Sequence, residues 1–541
     1  MKGVDALFEV LATEGVTHAF GNPGTTELPF VDALVEHPEL HYVLALQEAT
    51  AVAMADGYAQ ATGRPAFLNL HTSAGLGNAI GNLTNAQVAN TPLVVTAGQQ
   101  DLRHIATEPM LSGDLVGLAR PVSKWAEEVR TVDELAALLR RAFHDAAAPP
   151  GGPVFVSIPM NLLDEELGSP VPPPSRPRQP TVPAAAVLEQ LADLLASTPH
   201  DRLALVLADE TALAVDEAVA VAEALGAPVF GAPLHATLVF PPRHPLWRGP
   251  LPPAAVRINQ ALAPFERVFA VGRRPFMVYP YTPGPAVPPT VELLHLSADP
   301  GEPGRTWPVA LGAVGDAKAS LAALLPLVQA RAVDRLTPPF AQGPDALDDK
   351  ARQRYADVPM HPMAAAHALV RALPDNAVVV DEAITTGTYV RGFHHPTRPG
   401  TYFFCRGGGL GWGMPAALGV SLGYDKAPVL CVVGDGSTMY SPQALWTAAR
   451  EQLPVVFAVV NNRQYLILKN NLRQRDGASA RSGRYVAMDI VEPPIDYVAL
   501  AQAMGVTATL VEKADDVPDA VRAAWDAGRP HLLELPISAP E

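Results

Sequence analysis

Two short runs in the last third of the chain carry residue types able to hold a phosphate and a divalent cation. The apolar run Val429-Leu430-Cys431-Val432-Val433 breaks into Gly434-Asp435-Gly436-Ser437, and a helical pattern follows (Leu445, Trp446, Ala449). A glycine-rich turn between strand and helix presents free backbone N–H groups at a positive dipole end, which suits phosphate. Taken alone, such a turn reads first as a place where glycine supplies dihedral freedom. The next apolar run, Val455 to Val460, ends on Asn461-Asn462, and Asn462 lies 27 residues beyond Asp435. Neighbouring strands of a parallel βαβ unit end on one sheet edge, where ligands bind, so Asp435 and Asn462 are expected to converge. A carboxylate, an amide oxygen and a nearby carbonyl are hard oxygen donors matched to Mg²⁺ bridging a diphosphate.

Other runs are weaker alone. Leu44-Ala45-Leu46-Gln47-Glu48-Ala49 sets a carboxylate at the end of an apolar strand, before a helix of small residues (Ala51, Ala53, Ala55). By itself this reads as an acid complementing a helix dipole. Phe67-Leu68-Asn69-Leu70-His71 ends a strand on a histidine; a lone histidine is more often structural than catalytic, although it can exchange protons near neutral pH. Gly407-Gly408-Gly409-Leu410-Gly411-Trp412 is a second glycine turn ahead of a helix.

Together these runs resemble the thiamine-diphosphate-dependent enzymes that split or join 2-oxo acids. The signature is G-D-G-S followed by N-N at this interval, with Glu48-Ala49 leading to Asp56-Gly57-Tyr58-Ala59. The likeness is nearest to benzoylformate decarboxylases in Phe20-Gly21-Asn22-Pro23-Gly24-Thr25-Thr26-Glu27-Leu28-Pro29-Phe30, Asn69-Leu70-His71, Gly75-x-Gly77-Asn78-Ala79 and Thr96-Ala97-Gly98-Gln99-Gln100. The resemblance implies Mg²⁺ on Asp435, Asn462 and the carbonyl of Gln464, with Gly436, Ser437 and Tyr465 on the diphosphate side. It places Thr385 and Thr386 near the diphosphate and Ile384 toward substrate. Pro23, Asn78 and Gly408 fall with the cofactor-binding positions, and Leu410 matches the apolar wedge that bends the cofactor. Glu48 matches the glutamate that protonates N1′ of the aminopyrimidine, a task suited to a desolvated carboxyl, and His71 matches a histidine that assists substrate binding and proton transfer.

The pattern departs from those decarboxylases in the substrate pocket. Thr25 stands where they carry serine. The stretch that holds their second active-site histidine reads Arg274-Pro275-Phe276-Met277-Val278-Tyr279, with Tyr279 nearest that place; a phenol is a poorer proton relay at neutral pH. Ile467 and Leu468 begin a run to Asn471 that replaces smaller and aromatic pocket residues. Arg473 and Arg475 either meet a second carboxylate or face solvent.

These residues need α/β scaffolds to position them. Helical and strand patterns alternate through the chain, which predicts an α/β protein of three consecutive domains with mainly parallel sheets. They are a pyrimidine-binding domain (1–167), a central domain (184–336) and a diphosphate- and Mg-binding domain (361–541), joined by a Pro-rich linker (168–183) and a second linker (337–360). No sequence repeat at fixed period links them, so any likeness between first and third domains is expected to be structural only.

With 541 residues, 48% of them hydrophobic and 17% charged, the chain has material for several cores and for subunit contacts. A net charge of -16 disfavours nucleic acid and anionic lipid as partners. The two cysteines, Cys405 and Cys431, form neither a metal pair nor a disulfide framework, and no run suits a signal peptide or membrane span, so a cytoplasmic protein is expected. The resemblance implies a homodimer or homotetramer with active sites at the subunit interface. Its first expectation for function is non-oxidative decarboxylation of a 2-oxo acid to an aldehyde through an enamine intermediate. A carboligase of acetolactate-synthase-like type and a catalytically silent cofactor-binding homologue are the alternatives.

Overall fold

The computed structural model describes residues 1–175, 179–331, 346–475 and 477–539. Three six-stranded sheets follow one another along the chain, and every strand pairing described in register is parallel. The first sheet contains β1 (His18–Gly21), β2 (His41–Leu44), β3 (Ala66–Leu70), β4 (Leu93–Gln99), β5 (Ala126–Glu128) and β6 (Pro153–Pro159), in the order β2-β1-β3-β4-β6-β5. Strands β3, β4 and β6 are buried along their whole length. Helices cover both faces of such a strand, so it is mostly apolar rather than alternating.

The central sheet contains β7 (Leu203–Leu207), β8 (Val229–Gly231), β9 (Trp247–Pro250), β10 (Arg267–Val271), β11 (Glu292–Ser297) and β12 (Leu311–Val314), in the order β12-β11-β10-β7-β8-β9. The third contains β13 (Val378–Glu382), β14 (Tyr402–Phe404), β15 (Val429–Gly434), β16 (Val455–Asn461), β17 (Thr507–Leu510) and β18 (His531–Pro536). Its order, β14-β13-β15-β16-β18-β17, repeats that of the first sheet position for position. The first and third domains are therefore alike in strand order, whereas the central order is the doubly wound one.

The chain forms two compact units: Met1–Arg176, Leu347–His394 and Gly407–Glu541 in one, Pro177–Ala346 and His395–Arg406 in the other. In the larger unit, the helix Gly413–Gly423 packs along the helix Glu48–Thr62. The first of these is buried on every side, as expected of a helix without a polar face. Small residues set the spacing: a Cβ on Gly57 would lie 2.2 Å from the Ala416 carbonyl oxygen, and one on Gly419 would lie 1.8 Å from that of Met54. This contact joins the helix that starts at Glu48 to the helix that follows the second glycine turn.

Two stretches expected as linkers fall partly outside the described residues, at 176–178 and 337–345. Within the second, Ala346–Arg352 is helical, and Asp348 pairs with Arg371 at 2.8 Å.

Candidate active site

The edge at which β15 and β16 end gathers the cation-type donors. Asp435 follows Gly434, the last residue of β15, and Asn462 follows the last residue of β16; in the parallel register Gly434 lies beside Val460. Asp435 is 4% exposed, and its Oδ2 has no hydrogen-bond partner among the described residues. Burial pushes its carboxyl up to about 6 against the opposing effect of neighbouring backbone N–H groups. Tyr497 donates its hydroxyl hydrogen to the Asp435 carbonyl at 3.0 Å, fixing the turn from below.

The turn after Asn462 is held by a returning strand segment. The Tyr465 N–H donates to the Met488 carbonyl and the Ile490 N–H to the Arg463 carbonyl, both at 2.8 Å, so Gln464 faces Asp489 in an antiparallel bridge. Those two bonds leave the Gln464 carbonyl outside the ladder. Arg463 takes a left-handed φ of 58°, which is costly for a residue with a side chain. The Gln464 N–H donates to Asn462 Oδ1 at 3.0 Å.

A cavity of about 60 Å³ opens on this edge, lined by Ile384, Thr385, Thr386, Leu410, Gly436, Ser437, Asp435, Asn462, Gln464, Tyr465 and Ile467 among others. Thr386 Oγ1 in its wall is likewise buried without a partner. Ile384, Thr385, Leu466 and Ile467 also line an adjoining chamber of about 270 Å³ with Pro362, Tyr389 and Asn470. A buried carboxylate oxygen and a buried hydroxyl, both unsatisfied among the described residues, fit a cation and an anionic oxygen ligand. The donor set is therefore compatible with Mg²⁺ and a diphosphate.

A second group lies at the ends of β1 and β3. His71 Nδ1 is 2.8 Å from Glu27 Oε2, and Glu27 is 1% exposed. The same carboxylate accepts the Gly24 N–H (3.0 Å), the Gly98 N–H (2.9 Å) and the Thr26 hydroxyl (2.7 Å). A Cβ on Gly24 would fall 2.2 Å from the imidazole, so only glycine lets this turn approach the ring. Such a partner on Nδ1 sets the tautomer and leaves Nε2 as the nitrogen for chemistry. Thr72, β-branched and at φ 45°, marks backbone strain beside His71. Glu48 is buried at the start of its helix and accepts from Asn78 Nδ2 at 3.0 Å and from Asn22 Nδ2 at 3.4 Å.

The cavity thus brings together most residues expected in the third domain. Leu468 is 44% exposed and Gly408 lies outside the wall. Glu48, His71, Thr25, Pro23 and Asn78 do not line it either. Tyr279 is 60% exposed on the central unit, its N–H on the Pro253 carbonyl. Sequence reasoning missed the roles of Glu27, Asn22 and Asp489. Glu27 was visible only as the acid three residues after Gly24 in a decarboxylase-like run.

Three family profiles match in series: the N-terminal thiamine pyrophosphate binding domain over residues 1–117, the central domain over 188–324 and the C-terminal thiamine pyrophosphate binding domain over 385–535. The chain is 35% identical to a benzoylformate decarboxylase of Pseudomonas aeruginosa, covering 99% of each protein. It is 29% identical to an acetolactate synthase large subunit of Corynebacterium glutamicum over 99% of this chain and 86% of that one. Among solved structures, a thiamine diphosphate-dependent 4-hydroxybenzoylformate decarboxylase of Rhodococcus jostii superposes with a TM-score of 0.90 at 32% identity, over the full length of both chains. The matched domains, the shared architecture and the polar cradle between β15 and β16 agree: this chain belongs to the thiamine pyrophosphate enzymes, in the family of 2-oxo acid decarboxylases and their carboligating relatives.

Proposed function

We propose that the protein is a thiamine-diphosphate- and Mg²⁺-dependent decarboxylase that converts an apolar 2-oxo acid to an aldehyde. The observation that carries this reading is the unsatisfied carboxylate oxygen of Asp435, buried in a cavity wall that Asn462 and Gln464 share. Asp435, Asn462 and Gln464 would hold Mg²⁺, while Ser437, Thr385, Thr386 and Tyr465 would meet the diphosphate. When bound, thiamine diphosphate supplies a cationic ring that accepts the electron pair released as carbon dioxide leaves.

The chain's own residues do the rest. Glu48, buried and steered by Asn22 and Asn78, would hold the proton for the aminopyrimidine nitrogen when the cofactor is bound. His71, oriented by Glu27, binds the substrate carboxylate and moves protons through Nε2. Ile384 and Ile467 flank the chamber and exclude water, which favours a substrate with an apolar side chain. All the cavity's lining residues fall between 383 and 467, so Glu48 and His71 of a second copy would complete it. A dimer is then the smallest active form.

The chamber admits a carbonyl acceptor only if space remains after the first product forms, and that distinguishes decarboxylase from carboligase. Incubation of the protein with thiamine diphosphate, Mg²⁺ and a panel of aromatic and aliphatic 2-oxo acids, followed by NMR, tests the proposal. Aldehyde as the main product supports it; acyloin or acetolactate-type product replaces it with the carboligase reading; no turnover of any acid, in protein that binds the cofactor, leaves the silent homologue.

A further inference from the structure

Leu410 stands in the cavity wall between two backbone clamps. On one side Asn85 grips both polar groups of Gly409. Its Nδ2 donates to the Gly409 carbonyl at 2.9 Å, and its Oδ1 accepts the Gly409 N–H at 3.0 Å. Asn85 is itself held by Asn82 Oδ1 at 2.8 Å, and Asn82 Nδ2 donates to the Ala49 carbonyl at 2.8 Å. This ladder of amides runs from the residue after Glu48 to the residue before Leu410.

On the other side the Glu382 carboxylate accepts three successive N–H groups. Oε1 takes those of Gly411 (2.7 Å) and Trp412 (3.2 Å), and Oε2 takes that of Gly413 (2.8 Å). The Trp412 indole N–H donates to Asp56 at 2.7 Å, so this residue is tied at backbone and ring. Glu382 is 1% exposed and ends β13, one residue before Ala383 in the cavity wall. Burying a carboxylate costs several kcal/mol before compensation. The three N–H bonds offset part of that cost, and only while the loop keeps this one shape.

We propose that Asn85 and Glu382 are positioning residues of the cofactor site, fixing the backbone on either side of Leu410 so that its side chain forms a rigid wall against bound thiamine diphosphate. The inference rests on the thiamine diphosphate reading above. It assigns to two polar residues, one in each of the similar domains, the stiffness that a loop of glycines lacks. Removing either clamp frees Leu410 on one side, which lowers cofactor affinity without removing any residue of the cavity wall.

The test uses the full-length wild type and the variants Asn85→Ala, Asn85→Asp and Glu382→Gln, each with and without cofactor. Hydrogen exchange is followed on peptides spanning residues 405 to 413, and thiamine diphosphate affinity with Mg²⁺ is measured by calorimetry. Asn85→Asp keeps the acceptor for the Gly409 N–H but turns a carboxylate oxygen toward the Gly409 carbonyl and Asn82 Oδ1, so that variant should be at least as severe as Asn85→Ala. Glu382→Gln turns one acceptor into a donor facing an N–H. We expect faster exchange in this peptide for every variant and roughly tenfold weaker cofactor binding, the effect of losing about 1.4 kcal/mol. A helix-capping role alone would instead speed exchange through Gly413–Gly423 and leave cofactor affinity unchanged. Wild-type exchange and affinity in folded Asn85→Ala would overturn the proposal, and that variant decides the matter if Glu382→Gln fails to fold. Failure of the wild type to bind thiamine diphosphate would refute the cofactor reading instead, while the exchange measured without cofactor still decides whether the clamps exist.

Discussion

The first and third sheets share one strand order, yet the residues at their carboxyl edges are arranged for opposite purposes. At the first edge the acids are satisfied within the protein. Glu27 accepts from a histidine, a threonine and two backbone N–H groups, and Glu48 accepts from two asparagines. At the third edge the Asp435 carboxyl is buried with an oxygen left over, beside an equally unsatisfied Thr386 hydroxyl. A satisfied network holds titratable groups in place for proton transfer, whereas an unsatisfied one is completed by something from outside. One topology therefore carries two kinds of edge, and the kind is set by the residues at the strand ends.

The comparison predicts that changes at the first edge alter rate and changes at the third alter cofactor retention. The largest rate effect is expected for Glu48→Gln, which should cut turnover at least ~100-fold while cofactor binding persists; activity near that of the wild type would remove Glu48 from the mechanism. Glu27→Gln, which keeps the shape but weakens the hold on His71, should lower kcat by about tenfold, less than losing a direct acid or base. Steady-state kinetics showing a change confined to KM would instead make Glu27 a substrate-binding group.

A smaller, pH-dependent effect belongs to Glu382, whose carboxyl is pushed up to about 7 chiefly by burial, with Asp381 adding to the rise. Between the ordinary value and that one, the folded protein holds a proton that the unfolded chain has released. Stability from this group is thus highest at the acid end and falls as pH rises through the window. Thermal unfolding of wild type and Glu382→Gln should show the difference in Tm moving in the wild type's favour from about pH 8 to about pH 5.5. A difference independent of pH would mean that Glu382 does not titrate there. The smallest effect is expected for Arg463→Gly, which relieves the left-handed φ of 58° and should raise stability by ~1 kcal/mol or less, read as a small rise in Tm.

The convergence of Asp435 and Asn462 was legible because they follow adjacent parallel strands, and chain spacing alone brings them to one edge. Glu27, Asn85 and Glu382 were not, since their roles depend on partners 44, 324 and 29 to 31 residues away. Nothing local distinguishes Asn85 from any other asparagine on an amphipathic helix. Apolar runs such as Val429 to Val433 marked the central strands. The short outer strands β5, β9, β12, β14 and β17 were not singled out, because three or four residues at a sheet edge carry little hydrophobic signal. Strand β6 is hidden in the sequence for a different reason. Its buried Val154-Phe155-Val156-Ser157-Ile158 run stands between Pro153 and Pro159 and directly follows Pro149-Pro150-Gly151-Gly152, which reads as loop.

The central claim, that the third edge would hold Mg²⁺ and a diphosphate, is tested most directly by calorimetric titration of thiamine diphosphate into wild type and Asp435→Ala, each with Mg²⁺ and with a chelator. The account predicts tight binding only for the wild type with Mg²⁺. Equal binding by Asp435→Ala, or wild-type binding indifferent to the chelator, would contradict it.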